Sequence, residues 1–328
     1  MTDLRPSYGR HREASLPVPY EGETYYEQPV VKSSHYGELI AAYFFVGGLA
    51  GGAQIIAAVA DLAGDEEDRS VVRHGRSLAL AGSFISPVLL IADLQVPRRW
   101  HHMLRMLRTT SPMSIGAWTL AAFGTLSGLA AAVQFLEDAT GSRRLRPLAR
   151  LFGLPAAATA GVLTTYTGTL LASTSTPLWS AGGRLLAMLF GTSAMSTATA
   201  ALLIGEQALG HERSVRKLEH LGLAAGAVEL ITTAALERQW RDAEVDGPLQ
   251  EEPARTQWRG GFGVLGVLAP LVLHGTASLM RRPSTAASLT GAVATLAGGY
   301  VLRHVLVSAG NRSARRPRDY FRLTQPHP

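Results

Sequence analysis

LLIADLQVPRRWHHMLRMLRTTSPMSIGAW, residues 89–118, runs from an apolar segment into a basic patch and then into a second apolar segment. Asp93 closes the first run. Pro97 prevents a helix from continuing, because its ring removes a backbone N–H and clashes with the preceding turn. Arg98, Arg99, His101, His102, Arg105 and Arg108 follow in quick succession. Ser111-Pro112 then restarts a helix, the serine as N-cap and the proline in the first turn. The pattern describes a chain that leaves an apolar layer, turns in the water beside it and goes back in.

The same alternation extends outward in both directions. The chain has 328 residues, 47% hydrophobic and only 17% charged, with the charges crowded into short blocks. A soluble domain spreads its charges over its surface; crowding of this kind belongs to a polytopic membrane protein. Eight apolar segments are expected to span, at roughly 38–62, 77–94, 113–136, 148–173, 181–205, 215–236, 258–279 and 285–308. At ~1.5 Å per residue, most of them cover a ~30 Å hydrocarbon core. They are read as helices because lipid offers backbone groups no partners, and the alternation of a barrel strand is missing. The expected fold is an all-α membrane protein with a polar N-terminal segment (1–37), an eight-helix transmembrane domain (38–308) and a basic C-terminal tail (309–328). The polar first 35 residues lack an apolar h-region, so no signal peptide is expected.

Composition excludes several chemistries. Without cysteine the chain cannot build a disulfide, a thiolate zinc site, an iron–sulfur cluster or a covalent c-type haem. The formal net charge of +6 comes mainly from arginines beside apolar segments. That placement suits lipid phosphate and membrane orientation, and nucleic acid is not expected as a partner.

An even number of spans puts both termini on one face, called the near face here. It is the richer in Lys and Arg, which the positive-inside rule reads as cytoplasmic. Ionisable groups in hydrocarbon are costly and mark candidate functional sites. Glu38 and Tyr43 fall at the near end of the first span and Asp93 at the near end of the second. Tyr166 lies ~10 Å in from the near end of the fourth. Glu229, Arg303 and His304 fall in the near half of the sixth and eighth. Asp61, Glu206 and His274 lie close to far ends, where snorkelling explains them, and the middle of the bundle is expected to be sparse. An ion pair between Asp93 or Glu229 and Arg184 or Arg303 is the structural alternative. Gly47-Gly48 and Gly51-Gly52 are expected to serve helix packing, and Pro155 and Pro270 to kink their helices.

Several stretches together resemble the NrfD/PsrC family, the integral membrane subunits of molybdopterin and iron–sulfur oxidoreductase complexes. They are YYEQPVVK (25–32), HYGELIAAYFFVGGLAGG (35–52), DLQVPRRWHHMLR (93–105), SPMSIGAW (111–118), YTGTLLASTSTPLW (166–179), LFGTSAMSTATA (189–200) and GGYVLRHVLVSAG (298–310). The resemblance implies a bacterial inner-membrane subunit that binds a quinone (menaquinone or ubiquinone) at one face. It further implies a ferredoxin-like iron–sulfur subunit beside it and a molybdopterin catalytic subunit beyond, with electrons exchanged between the quinone pool and the partner. Tyr166 matches the family tyrosine that bonds a quinone carbonyl. Tyr43 falls where the polysulfide reductase member has a histidine, and Asp93 matches the aspartate of the DL motif. His35, Glu38 and Asp93 are the other candidate quinone-binding residues and candidates to carry protons to the near side, and Glu229, Arg303 and His304 are further transfer candidates. Arg98, Arg99, His101, His102 and Arg105 form a candidate docking surface. No haem or metal is expected on this chain. The rival readings are a b-haem subunit using His274 and His304, which their different depths disfavour, and a transporter or proton-conducting subunit with Asp61, Glu206 and His274 as far-side stations.

Overall fold

The computed structural model describes residues 31–279 and 284–324, so most of the 25–32 stretch lies outside the described residues. Eight long rods carry most of the described chain: α1 (Glu38–Ala63), α2 (Arg69–Ala92), α3 (Pro112–Thr140), α4 (Arg146–Ala172), α5 (Pro177–Ala208), α6 (Glu212–Asp242), α7 and α8 (Thr285–Ala314). The seventh opens as a π-helix, Gln257–Leu268, and continues as an α-helix, Ala269–Leu279. A short α9 (Pro317–Thr324) follows α8. Five of the rods, α1 to α5, and also α8 are long and apolar enough to cross a membrane. The sixth is diluted by charges at both ends. Local chemistry sets several boundaries. The Ser111 hydroxyl accepts from the Ser114 N–H at 3.4 Å, with Pro112 in the first turn, as the sequence indicates. Ser284 caps α8 in the same way. Gly141 ends α3 at φ 65°, a left-handed conformation that costs glycine little.

Helix α1 is the axis of the bundle and touches α2, α4, α5 and α8. Its paired glycines make this possible. A Cβ on Gly52 would lie 2.6 Å from the Ala194 carbonyl oxygen, and one on Gly51 would lie 2.8 Å from Thr164 Cγ2. Packing is thus their role, since a methyl at either position would force α5 or α4 away. The π-helical start of α7 meets α8 backbone to backbone, with a Cβ on Gly266 only 2.6 Å from Gly298 Cα. Helix α5 breaks at Gly183, where φ is 47° and ψ −130°.

Several expected boundaries move, the second helix most. It begins at Arg69, a full two turns before residue 77, while the sixth runs to Asp242, past 236, and the eighth to Ala314, past 308. Arg69, Arg73 and Arg76 read as a loop because they are charged. They are helical because each finds a carboxylate or amide. Asp61 of α1 accepts from Arg69 at 2.7 Å and Arg76 at 2.9 Å, and pairs with Arg150 of α4 at 3.3 Å. Glu137 of α3 joins Arg69 at 2.8 Å and Arg146 at 3.3 Å. Arg73 pairs with Asp138 at 2.6 Å. Glu206 of α5 holds Ser70, His74 and His211 at 2.7–2.8 Å, and Lys217 of α6 meets Asp68 at 2.7 Å. The far ends of the first six helices are therefore laced together by ion pairs and hydrogen bonds. Asp61, expected to snorkel, is 5% exposed and Glu206 is 0% exposed. Snorkelling fails as an explanation because arginines solvate Asp61, and Ser70, His74 and His211 solvate Glu206, inside the bundle.

The middle is also more polar than expected. Arg303 is fully buried and donates to Ser193 Oγ at 2.6 Å and the Gly299 carbonyl at 2.7 Å. The buried Glu229 faces Ser193, Ser196 and Arg303. No ion pair involving Asp93 or Arg184 is present among the described residues; Arg184 is exposed. At the near face, tryptophans tie α5, α6 and α8 together. Trp179 donates to the Leu306 carbonyl and Trp240 to the Leu178 carbonyl, both at 2.8 Å.

Candidate functional site

A mainly apolar cavity of about 120 Å³ opens at the near face between the ends of the first four helices. Four polar side chains reach it: Tyr36 just before α1, Tyr43 on α1, Asp93 at the end of α2 and Tyr166 on α4. Ile40 and Phe44 of α1 and Leu90 of α2 supply apolar wall. Met103 and Met113, flanking the basic loop, complete the outer side. Tyr43 and Tyr166 are 3% and 8% exposed. Among the described residues neither hydroxyl has a hydrogen-bond partner, although buried phenols ordinarily find one. Two phenols without a hydrogen-bond partner among the described residues thus line a mainly apolar space.

The sequence places Tyr166 well but not what shapes its surroundings. Gly116, in the first turns of α3, lies against the phenol end of Tyr166, and any Cβ there would overlap the ring and hydroxyl. In the YTG run the glycine has a different task. A Cβ on Gly168 would sit 2.7 Å from Leu186 O and from Ala187 Cα, so Gly168 lets α4 approach α5.

Asp93 is the C-cap of α2 and half-buried. Burial holds its carboxyl above the usual carboxylate range, while nearby His35 draws it back down. Burial and the neighbouring Asp93 also push the Tyr36 phenol up. A neutral phenol beside a carboxyl of raised affinity for protons can donate a hydrogen bond and exchange a proton at the cavity rim.

Glu38 does not line this cavity. It turns the other way, bonding His304 at 2.8 Å and the Tyr300 hydroxyl at 3.0 Å, so α1 and α8 are pinned there. His304 is thereby occupied, and Glu229 and Arg303 lie deep in the other half of the bundle. His35 is exposed at the rim near Asp93. Tyr36, Gly116, Met103 and Met113 were not singled out from the sequence.

The basic loop folds as a 3-10 helix, Pro97–Leu104, with Arg98, Arg99, His101 and His102 all exposed. Arg98, Arg99, Arg105 and Arg108 form no ion pair among the described residues, in contrast to Arg69, Arg73, Arg76, Arg146, Arg150 and Arg213 at the far face. His101 and His102 rings meet edge to face at 4.6 Å. His274 is in the far half of α7 and His304 in the near half of α8, so the two do not face one another across a common plane.

This combination defines a helical membrane subunit with a ligand-sized cavity and an unpaired cationic lip on the same face. The chain belongs to the NrfD family: the family described as polysulfide reductase matches residues 23–316, nearly the whole chain. It is an integral membrane protein and a membrane subunit of an oxidoreductase complex. Comparison with curated proteins gives no match.

Proposed function

We propose that the near-face cavity binds a quinone or quinol head group, and that the chain passes electrons between the membrane quinone pool and an iron–sulfur subunit docked on the basic loop. The carrying observation is the pair of phenols, Tyr43 and Tyr166, that line a mainly apolar cavity and have no hydrogen-bond partner among the described residues. A quinone head group has two carbonyl oxygens and an apolar ring and tail, which fits both the donors and the walls. A quinol supplies two electrons and two protons. Tyr166 donates to one oxygen and orients the ring, and Tyr43 serves the other side. Asp93 and His35 receive protons at the rim and pass them to near-side water. With no cysteine in the chain, electrons cross directly to a cluster in the partner. The complex is placed in the bacterial cytoplasmic membrane, with a molybdopterin catalytic subunit behind the iron–sulfur subunit.

The test is Tyr166→Phe, which keeps the ring and removes the hydroxyl. Losing one neutral hydrogen bond weakens binding by roughly 0.5–1.5 kcal/mol, a few-fold to about tenfold. Quinol-driven reduction of the partner's clusters falls accordingly, while an artificial donor that bypasses this subunit drives the complex at the wild-type rate. Equal quinol-driven rates at all quinol concentrations would remove Tyr166 from the site.

The docking half is tested separately by Arg98→Glu with Arg99→Glu. Exposed, unpaired cations steer and register an acidic partner surface. Reversal is expected to release the soluble subunits into the wash at moderate salt, with the membrane subunit still folded. Unchanged co-purification would place the docking surface elsewhere.

A further inference from the structure

A seam of the bundle opens to the bilayer at the far face, away from the tyrosine site. Helices α1 and α6 both pack on α5, and the space left between them is a mainly apolar groove of about 370 Å³. It follows α1 from Ile55 to the C-cap Gly64, nine residues or ~13 Å along the axis. Ile56 and Val59 of α1, Met195 of α5 and Leu218 of α6 wall it. Val59 is 59% exposed, so the open side faces lipid.

The groove becomes polar at its far end, where Ser214 and Lys217 of α6 and Asp68 line it. Ser214 is 2% exposed, yet its hydroxyl has no hydrogen-bond partner among the described residues. Helix α6 begins beside it with no side-chain cap from His211, and first-turn N–H groups lack acceptors within their own helix. Lys217 bonds Asp68 at 2.7 Å but its side chain is 45% exposed, so its ammonium keeps donors to spare. A hydroxyl, an ammonium and a helix N-terminus thus stand together at the water edge of an apolar slot, which is the chemistry of a phosphate site. Carboxylates are in excess around them. Among the described residues Asp65, Glu67 and Asp68 pair only with Arg213 and Lys217, three anions against two cations.

We propose that the groove binds one phospholipid with an amine in its head group, of the phosphatidylethanolamine type. An acyl chain fills the slot between α1 and α6. The phosphate accepts from Lys217, the Ser214 hydroxyl and the first turn of α6, and the ammonium meets the surplus carboxylate of the 65–68 turn. An anionic head group without an amine would face that carboxylate with nothing to offset it. The lipid also completes the seam, because inward of the ion pairs at the water edge α1 and α6 are joined mainly through α5.

The test uses the intact complex in phosphatidylglycerol nanodiscs that carry a small, equal fraction of one photoactivatable lipid. Its diazirine is on the acyl chain, and its head group is either ethanolamine or glycerol. Crosslinked peptides are read by mass spectrometry. The ethanolamine probe should label the segments around Val59, Met195 and Leu218 several-fold more than the glycerol probe does. Phe84 and Phe135, 69% and 73% exposed, mark ordinary lipid-facing surface and should take both probes equally. Ser214→Ala and Lys217→Gln should each remove most of the excess at the groove and leave the Phe84 and Phe135 labelling unchanged. Unlabelled phosphatidylethanolamine should compete with the groove label. Equal labelling of the groove by both probes overturns the proposal, and so does an excess that survives both substitutions. Displacement by added quinone and not by phosphatidylethanolamine overturns it as well, by making the groove a path for an isoprenoid tail. Should Lys217→Gln fail to assemble, the two probes on the wild type and Ser214→Ala still decide. None of the substituted residues lines the near-face cavity, so the outcome is independent of the quinone reading there.

Discussion

Asp61→Asn is expected to remove most of the folded protein. The substitution keeps the size and one carbonyl acceptor but deletes the charge that three arginines share. Arg69 and Arg150 retain some access to solvent, with side chains 12% and 40% exposed, but Arg76 is 2% exposed and has nowhere to take its charge. Breaking one side of a buried pair costs roughly 3–5 kcal/mol because the surviving ion is left uncompensated. That is a large part of the total stability of an ordinary domain, about 5–15 kcal/mol. The measurement is the yield of monodisperse protein after extraction and its thermal midpoint. Adding Arg76→Gln should recover part of the loss, since the stranded cation is then gone. Arg76 also donates to Gln134 Oε1 of α3, and wild-type yield from Asp61→Asn alone would show that this bond, not the ion pair, holds Arg76.

Gly116→Ala is expected to have the largest effect on the proposed quinone reaction of any change outside the cavity lining. The added methyl occupies the space of the Tyr166 phenol end, so the ring or α3 must shift. Overpacking of this kind costs roughly 1–3 kcal/mol, which leaves the fold intact. Misplacing a positioning group by about 1 Å can cost on the order of 10²-fold in rate. Quinol-driven turnover should therefore fall ten- to a hundredfold, while turnover with an artificial donor is unchanged. A second variant separates shape from hydroxyl. Tyr166→Leu relieves the overlap, so adding it to Gly116→Ala should restore thermal stability without restoring quinol-driven turnover. Unchanged quinol kinetics in Gly116→Ala would show that the Tyr166 hydroxyl position does not matter to the reaction.

The sequence and the structure diverge in an instructive way. The number of long helices, the Ser111 cap and the small-residue face of α1 could be read from the chain because each depends on local pattern. So could two of the three cavity tyrosines, Tyr43 and Tyr166, since depth along a helix is a matter of counting. What could not be read depends on partners distant in sequence. Arg69 and Arg76 look like loop residues until Asp61 and Glu137 are brought to them from other helices. A hydropathy scale assigns each charge the cost of an isolated ion, and so it starts α2 too late. Glu38 looked like a cavity group because it shares a depth with Tyr43. Depth does not fix azimuth, and its side chain leaves on the α8 side. Gly116 carried no signal at all, because an absent side chain matters only when its neighbour is known.

The uneven lacing of the bundle has a mechanical consequence. At the far face, ion pairs and hydrogen bonds bolt α1 to α6 to one another, whereas at the near face the ends of α2, α3 and α4 share no ion pair among the described residues. A sheaf clamped at one end can splay only at the other. The near-face cavity lies at that free end, and its outer wall is made of flexible methionines, Met103 and Met113, rather than of bonded groups. A long-tailed molecule dissolved in the bilayer would then arrive sideways, parting α2 and α3 like the leaves of a book whose spine is the far-face ion pairs. The arginines that hydropathy misread as a loop are that spine.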